Sequence, residues 1–286
     1  MARGESVEIG GGFRVPEGIV QSGAVLRDVG TTNRTRLDDF RRAIGPATAM
    51  TLKVHPSNYR VEGFVEDTSI EALASLPVPV VADIGSGLID ATCPWLAGGP
   101  PSWLAKEPAA RQTIAAGAAL VTFSCDKLLG GPQAGVIAGR ADLVARCERH
   151  PLARALRPGG LVLDALQATA LTYMRRDVTS SVPFWKMVSI PVAALRARAD
   201  AIVTSASVGS VEDMTAVPGA GSLPGVGLPS AGVVVPGDHL VALRSGHPPI
   251  VARVREQRTY LDVRAVDPAD DVVLVAALRA LRSGTD

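Results

Sequence analysis

From Gly23 to Gly139 short apolar runs alternate with stretches of helical periodicity, and this alternation leaves few folds open. The runs 24–28, 48–54, 78–82, 119–123 and 135–138 read as strands, and 36–44, 68–75, 108–117 and 140–149 as the helices between them. That is the pattern of a mainly parallel sheet with crossover helices, an α/β layer architecture. Thr35, with Asp38 three residues on, reads as a capping box for the first helix. Beyond Arg157 the pattern changes to longer helices at 161–176 and 186–206. Val-rich strands follow at 231–235, 250–254 and 259–264, with a glycine-proline stretch at 218–230 and a last helix near 268–282. These predict a large domain over 1–185 and a small C-terminal α+β domain over 186–286, with the boundary near 183–190.

Composition narrows the class of protein. With 286 residues and 47% hydrophobic residues the chain can bury a sizeable core. No apolar stretch reaches the ~18 residues that span a bilayer, and the opening Met-Ala-Arg-Gly-Glu-Ser lacks the apolar region of a signal peptide. A cytoplasmic protein without a membrane partner is the expectation. Cys93, Cys125 and Cys147 are odd in number and widely spaced, which fits neither a disulfide framework nor a metal site. With 29 basic against 28 acidic residues, composition supplies no electrostatic case for nucleic acid, so any such contact must be local.

The chemistry concentrates at SCDKLLGGPQAG, residues 124–135, directly after the apolar run LVTF. Lys127 is one of only four lysines, and a lysine ending a buried strand is costly unless its amine is solvated, paired or used covalently. In pyridoxal-phosphate enzymes it is used covalently, as a Schiff base with the cofactor aldehyde. A solvated lysine on a surface turn is the competing reading. Asp83, in VPVVADIGSG, also follows an apolar run and precedes a Gly-Ser-Gly turn. Sites in parallel sheets lie at the carboxyl ends of strands, so Asp83 and Lys127 can converge on one crevice. A carboxylate there holds a pyridine nitrogen protonated; a turn-forming Asp before glycine is the alternative.

The strings SGAVLRDVGTTNRT (22–35), LKVHPSNYRVEGF (52–64), ADIGSGLID (82–90), TFSCDKLLGGPQAG (122–135) and HPLARALR (150–157), followed by FWKM (184–187) and GSLPG (221–225), resemble those of bacterial selenocysteine synthase, L-seryl-tRNA(Sec) selenium transferase, in the same order. The resemblance implies a fold-type-I pyridoxal-phosphate transferase large domain, with its N-terminal part missing and the sheet incomplete there. Lys127 would form the internal aldimine and Asp83 would pair with the ring nitrogen. Ser124 becomes a candidate contact to the cofactor phosphate and His55 a candidate neighbour of ring or substrate, against a structural histidine in a strand-end turn. Asp126 acts in proton transfer or caps the turn. Arg154 and Arg157, three apart, would share a helix face and bind selenophosphate, against an ordinary solvated face. The reaction implied is conversion of the seryl group on selenocysteine tRNA to selenocysteyl, through a dehydroalanyl intermediate, by a homo-oligomer built as a ring of dimers. Cys125 stands where the family commonly has glycine, either as a small tolerated residue or as a thiol exposed to the cofactor. The competing expectations are a related lyase or aldolase acting on a small amino or sugar acid, and an inactive fragment.

Overall fold

The computed structural model describes residues 1–219 and 221–283. The chain forms two compact units, one comprising Met1–Val182 with Gly219–Gly225 and the other Pro183–Pro218 with Val226–Asp286. Residues 219–225 thus group with the first unit although strands of the second flank them in the chain, which a single cut in the sequence cannot express.

The first unit opens with a short hairpin, β1 (Glu8–Ile9) and β2 (Phe13–Arg14), and helices α1 (Val15–Gln21) and α2 (Leu37–Ala43). Its main sheet consists of β3 (Thr51–Val54), β4 (Val80–Gly85), β5 (Leu120–Ser124) and β6 (Gly135–Gly139), side by side in chain order. The first three are parallel, and β6 returns antiparallel to β5. Helices α3 (Ile70–Ala74) and α4 (Ala110–Ala115) supply the crossovers; α5 (Ala141–Arg149), α6 (Pro151–Ala155), α7 (Gly160–Arg175) and α8 (Val178–Ser181) follow the sheet. Side chains alternate along β4: Val80, Ala82 and Ile84 are buried, whereas Val81, Asp83 and Gly85 are only partly so. Ala82 and Ile84 pack with Val121, Ala110 and Ala118, and Val80 packs with Phe40, Leu73 and Leu76.

β3 is an edge strand. His55 N–H bonds across to Asp83 O, so the Val54 N–H points away from the sheet. The buried Glu5 carboxylate meets it at 2.9 Å and pairs with Lys53 Nζ at 2.7 Å; Asp67 also holds that amine. This closure explains one departure from the sequence reading. The run 24–28 forms no strand, because the flank it would need is sealed by a side chain; only Val29 makes a bridge, to Ala2, and Val25 is 95% exposed. The capping box is also displaced by one residue. Arg36 N–H donates to Asp39 Oδ2 at 2.8 Å, Asp38 pairs with Arg41, and the Thr35 carbonyl is taken by Thr68.

The second unit carries an antiparallel sheet in the order β7-β8-β10-β9, formed by β7 (Ser210–Ala216), β8 (Leu228–Pro236), β9 (Arg253–Arg255) and β10 (Arg258–Asp262). The helix expected over 186–206 is two helices, α9 (Pro183–Val188) and α10 (Val192–Ala206). Pro191 lacks an N–H and disfavours helical geometry in the residue before it. Leu195, Ala199, Ile202 and Ala206 make one stripe of α10 against Ala231, Val233 and Val235 of β8. After α11 (Leu240–Arg244), helix α12 (Asp271–Ser283) adds Leu274 and Leu278 to this core. Buried Arg264 donates to the carbonyls of Met187 (2.8 Å), Ile190 (3.0 Å) and Pro229 (2.6 Å), saturating backbone acceptors where α9 ends. Arg198 grips Asp271 through its Nε and Nη2 nitrogens.

Two expectations follow. Lys53→Met leaves Glu5 buried without its cation and should cost about 3–5 kcal/mol in denaturant unfolding, with part recovered in the Glu5→Gln/Lys53→Met double variant. Burial alone would lower the Lys53 pKa, but Glu5 and Asp67 more than offset it and raise it above the ordinary 10.5. The stabilisation from its charge is therefore complete below that value and should be lost as pH rises through the raised one, visible as an alkaline fall in stability that Lys53→Met lacks. In the second unit, Arg264→Lys should destabilise by about 2–3 kcal/mol, because an ammonium cannot fork to carbonyls that the guanidinium spans.

Candidate active site

The site grows from how two strands end. Asp83 of β4 stands opposite Thr122 of β5, and Thr122 Oγ1 donates to Asp83 Oδ1 at 3.0 Å. Beyond the strands, the turns at 85–87 and 125–131 interlock. Leu128 N–H donates to Ser86 O at 2.8 Å, Gly131 N–H to Cys125 O at 2.8 Å and Gly130 N–H to Lys127 O at 2.9 Å. Gly87 has φ +73°, and a Cβ there would lie 2.3 Å from Ser124 O, so the interlock requires glycine. Lys127 is carried back over the end of β4. Its Nζ lies 3.8 Å from where a Cβ on Gly85 would be and 3.2 Å from one on Gly221, whose φ is +77°. The amine is partly buried and makes no hydrogen bond or ion pair among the described residues.

His55 follows β3 directly, anchored by its N–H to Asp83 O at 2.8 Å. Its ring is partly buried, with Nε2 at 3.6 Å from Oε2 of Glu107. Ser57 is buried, its Oγ 3.7 Å from the same Gly85 position that faces Lys127. The ends of β3, β4 and β5 thus bring His55, Asp83 and Lys127 together at one end of the sheet, as expected for a parallel arrangement. Ser124 closes β5 opposite Gly135, half-buried.

Asp126 is exposed and makes no hydrogen bond among the described residues; the turn is closed by backbone groups, so Asp126 does not cap it. Cys125 is fully buried, and burial first, then the charge of Asp126, pushes its thiol up. Both effects disfavour the thiolate, which makes Cys125 an inert interior residue. Arg154 and Arg157 do not share a helix face. α6 ends at Ala155, so Arg154 is helical and Arg157 lies in the segment beyond, because Pro158 and two glycines stop the helix. Both guanidiniums are exposed and uncommitted among the described residues.

Reasoning from sequence missed Ser57, Ser86, Glu107 and Gly221. Ser57 sits two residues from His55 and was within reach of the motif reading. Ser86, fully buried with an Oγ unpartnered among the described residues, carried a signal in its flanking glycines. Gly221 opens the GSLPG motif, but nothing in the sequence tied it to Lys127, and Glu107 had no signal; only the fold brings each of them near a site residue more than 50 positions away.

Geometry of this kind can be set beside known proteins. The family model for L-seryl-tRNA selenium transferase (SelA) matches residues 1–267. The chain is 40% identical over 284 residues to the L-seryl-tRNA(Sec) selenium transferase of Carboxydothermus hydrogenoformans, covering 93% of this chain and 59% of that protein. It is 42% identical over 298 residues to the corresponding protein of Moorella thermoacetica, covering 97% and 62%. The chain therefore spans about three fifths of the length of these relatives. Among solved structures, a D-glucosaminate-6-phosphate ammonia-lyase superposes with a TM-score of 0.65 over 99% of this chain and 70% of that one, at 21% identity. That likeness concerns the fold alone, which is the fold-type-I α/β arrangement. With the family match running from residue 1 to 267 and its motifs meeting at the strand ends that hold Asp83 and Lys127, the chain belongs to the L-seryl-tRNA selenium transferase family.

Proposed function

We propose that this chain carries the catalytic part of a pyridoxal-phosphate-dependent selenium transferase, which converts the seryl group on selenocysteine tRNA to selenocysteyl with selenophosphate as donor. The observation that carries the reading is the Lys127 amine, uncommitted among the described residues, held between Gly85 and Gly221 at the end of the sheet where Asp83 also lies. The residues fit the cofactor: the amine is free for a covalent bond, the two glycines leave room around it, and Asp83 offers a fixed acceptor. When bound, pyridoxal phosphate supplies the electron sink for loss of the α-proton and then the β-hydroxyl of the seryl group.

The chain's own groups divide the remaining work. Asp83, oriented by Thr122, keeps a proton on the ring nitrogen. Lys127 Nζ carries protons at the reacting carbon, and Asp126, open to solvent, exchanges them with water. Ser124 supplies a hydroxyl to the cofactor phosphate. Arg154 and Arg157, exposed and unpaired among the described residues, attract the phosphate of the selenium donor from separate positions rather than from one helix face. With a charged tRNA as substrate we place the protein in the cytoplasm and expect it to act as a homo-oligomer. Among the described residues no helix is long and apolar enough to cross a membrane. The small-molecule lyase reading has no observation of its own, since the ammonia-lyase likeness extends to the fold only.

Borohydride reduction of the chain loaded with pyridoxal phosphate, followed by peptide mapping, should place the label on Lys127 and lose it in Lys127→Ala. A label on Lys53, Lys106 or Lys186 instead would overturn the assignment. In a version of the enzyme extended to the relatives' length, Lys127→Ala should abolish turnover, and seryl-charged selenocysteine tRNA should bind in preference to bulk tRNA; equal binding would favour a small-molecule enzyme. Gly221→Val places a Cβ against Nζ and strains a left-handed backbone, so cofactor affinity should fall by about tenfold in an absorbance titration.

A further inference from the structure

Among the buried polar atoms at the carboxyl end of the sheet that have no hydrogen-bond partner among the described residues are His55 Nε2 and Glu107 Oε1. They belong to side chains that face each other, with Nε2 at 3.6 Å from Glu107 Oε2, and the Glu107 side chain is only 2% exposed against 22% for His55. Glu107 comes from the loop between the 3-10 turn Ser102–Leu104 and α4, where its own N–H is tied to Leu104 O. A carboxylate so deeply buried needs a donor, and the imidazole that faces it at 3.6 Å can supply one from Nε2. Because Nε2 is sealed, the exposed part of the ring is the remainder, and His55 stands beside Asp83 at the strand ends where Lys127 also lies.

We propose that Glu107 is a positioning residue for His55. Its carboxylate accepts the Nε2–H, which fixes the tautomer with the lone pair on Nδ1 and sets the rotation of the ring toward the crevice. The 3.6 Å separation closes to a hydrogen bond by a small ring rotation, as paired groups in unliganded sites commonly do. A neutral imidazole can present either nitrogen, and a carboxylate at one of them removes that ambiguity. This inference rests on the reading that pyridoxal phosphate occupies the crevice, and its value to the site is a His55 whose donor and acceptor ends are decided before any ligand arrives.

The test uses 15N-labelled imidazoles in the whole chain, without and with pyridoxal phosphate. With four histidines in the sequence, the His55 signals are those lost in His55→Asn. The wild type should show Nε2 protonated and Nδ1 bare. Glu107→Leu should shift His55 to a mixed or Nδ1–H tautomer and weaken pyridoxal phosphate binding by about tenfold at an unchanged melting temperature. Glu107→Gln, whose amide oxygen still accepts, should restore the tautomer and most of the affinity. Unchanged His55 signals in Glu107→Leu overturn the proposal, as does an affinity loss that tracks a fall in melting temperature and is not rescued by glutamine. Should the leucine variant fail to fold, Glu107→Asp, which keeps the charge but shortens the reach, carries the same comparison. The spectra without cofactor decide the pairing by themselves. A wild-type chain with the expected tautomer that takes up no pyridoxal phosphate overturns the cofactor reading and leaves the Glu107–His55 pairing in place.

Discussion

The parallel pairing of β4 with β5, in the register that sets Asp83 opposite Thr122, is the constraint on which the candidate site depends. Side chains alternate along a strand, so a slip of one residue would drive Asp83 into the apolar layer of Ala82 and Ile84 and bring one of those to the site. The Thr122–Asp83 hydrogen bond and the buried contacts of Val121 hold the register from opposite faces of the same strands. Past the strand ends it is extended by the Leu128-to-Ser86 backbone bond, which Gly87 permits by leaving space for the Ser124 carbonyl. The position of Lys127 is thus a consequence of sheet register and backbone bonding, with no polar group among the described residues holding its side chain.

Elsewhere in the chain several buried carboxylates are fully met by donors. Glu5 meets both an edge N–H and an ammonium, and Asp90 collects Thr92, Arg111 and Gln112. Burial alone would raise the Asp90 pKa, but those hydrogen bonds together hold it well below the usual carboxylate range. At the strand ends the pattern differs: the Lys127 amine, Ser86 Oγ, His55 Nε2 and Glu107 Oε1 lack hydrogen bonds among the described residues. Native interiors rarely leave such atoms unpaired, and local rules are broken where function requires it. Arg264 Nε in the second unit is likewise unpartnered among the described residues, but at the strand ends His55, Glu107 and Ser86 bring several such atoms close to the Lys127 amine.

Legibility in the sequence followed the strength of the local signal. The runs at 78–82 and 119–123 stood out because strands inside a parallel sheet are apolar over several consecutive residues, and both became β4 and β5. β7 escaped notice: Ser-Val-Glu-Asp-Met-Thr-Ala is mixed in polarity, and its strand character comes from pairing with the buried β8. The run 24–28 had the right composition but no neighbour to pair with, since a side chain had closed that edge. Lys127 and Asp83 were readable because each punctuates an apolar run. Glu107 and His55 were not readable as a pair, because the distance between them is set by how a loop before α4 packs.

The loop at 221–225 shows how far a site can reach along its chain. Three of its residues take left-handed backbone angles: Gly221 at +77°, Leu223 at +52° and Gly225 at +69°. For two glycines this costs little, but for leucine it is strain of order 1 kcal/mol or more, which persists only where the surroundings enforce it. Leu223 is 5% exposed and its neighbour Ser222 4%, so burial supplies the enforcement. The same anchoring sets Gly221 against the Lys127 amine and Gly225 against the Arg60 guanidinium, each at 3.2 Å from where a Cβ would stand. A lysine that ends one strand is thus confined by a segment more than 90 residues later, through a buried leucine that the chain bends out of its preferred conformation to place.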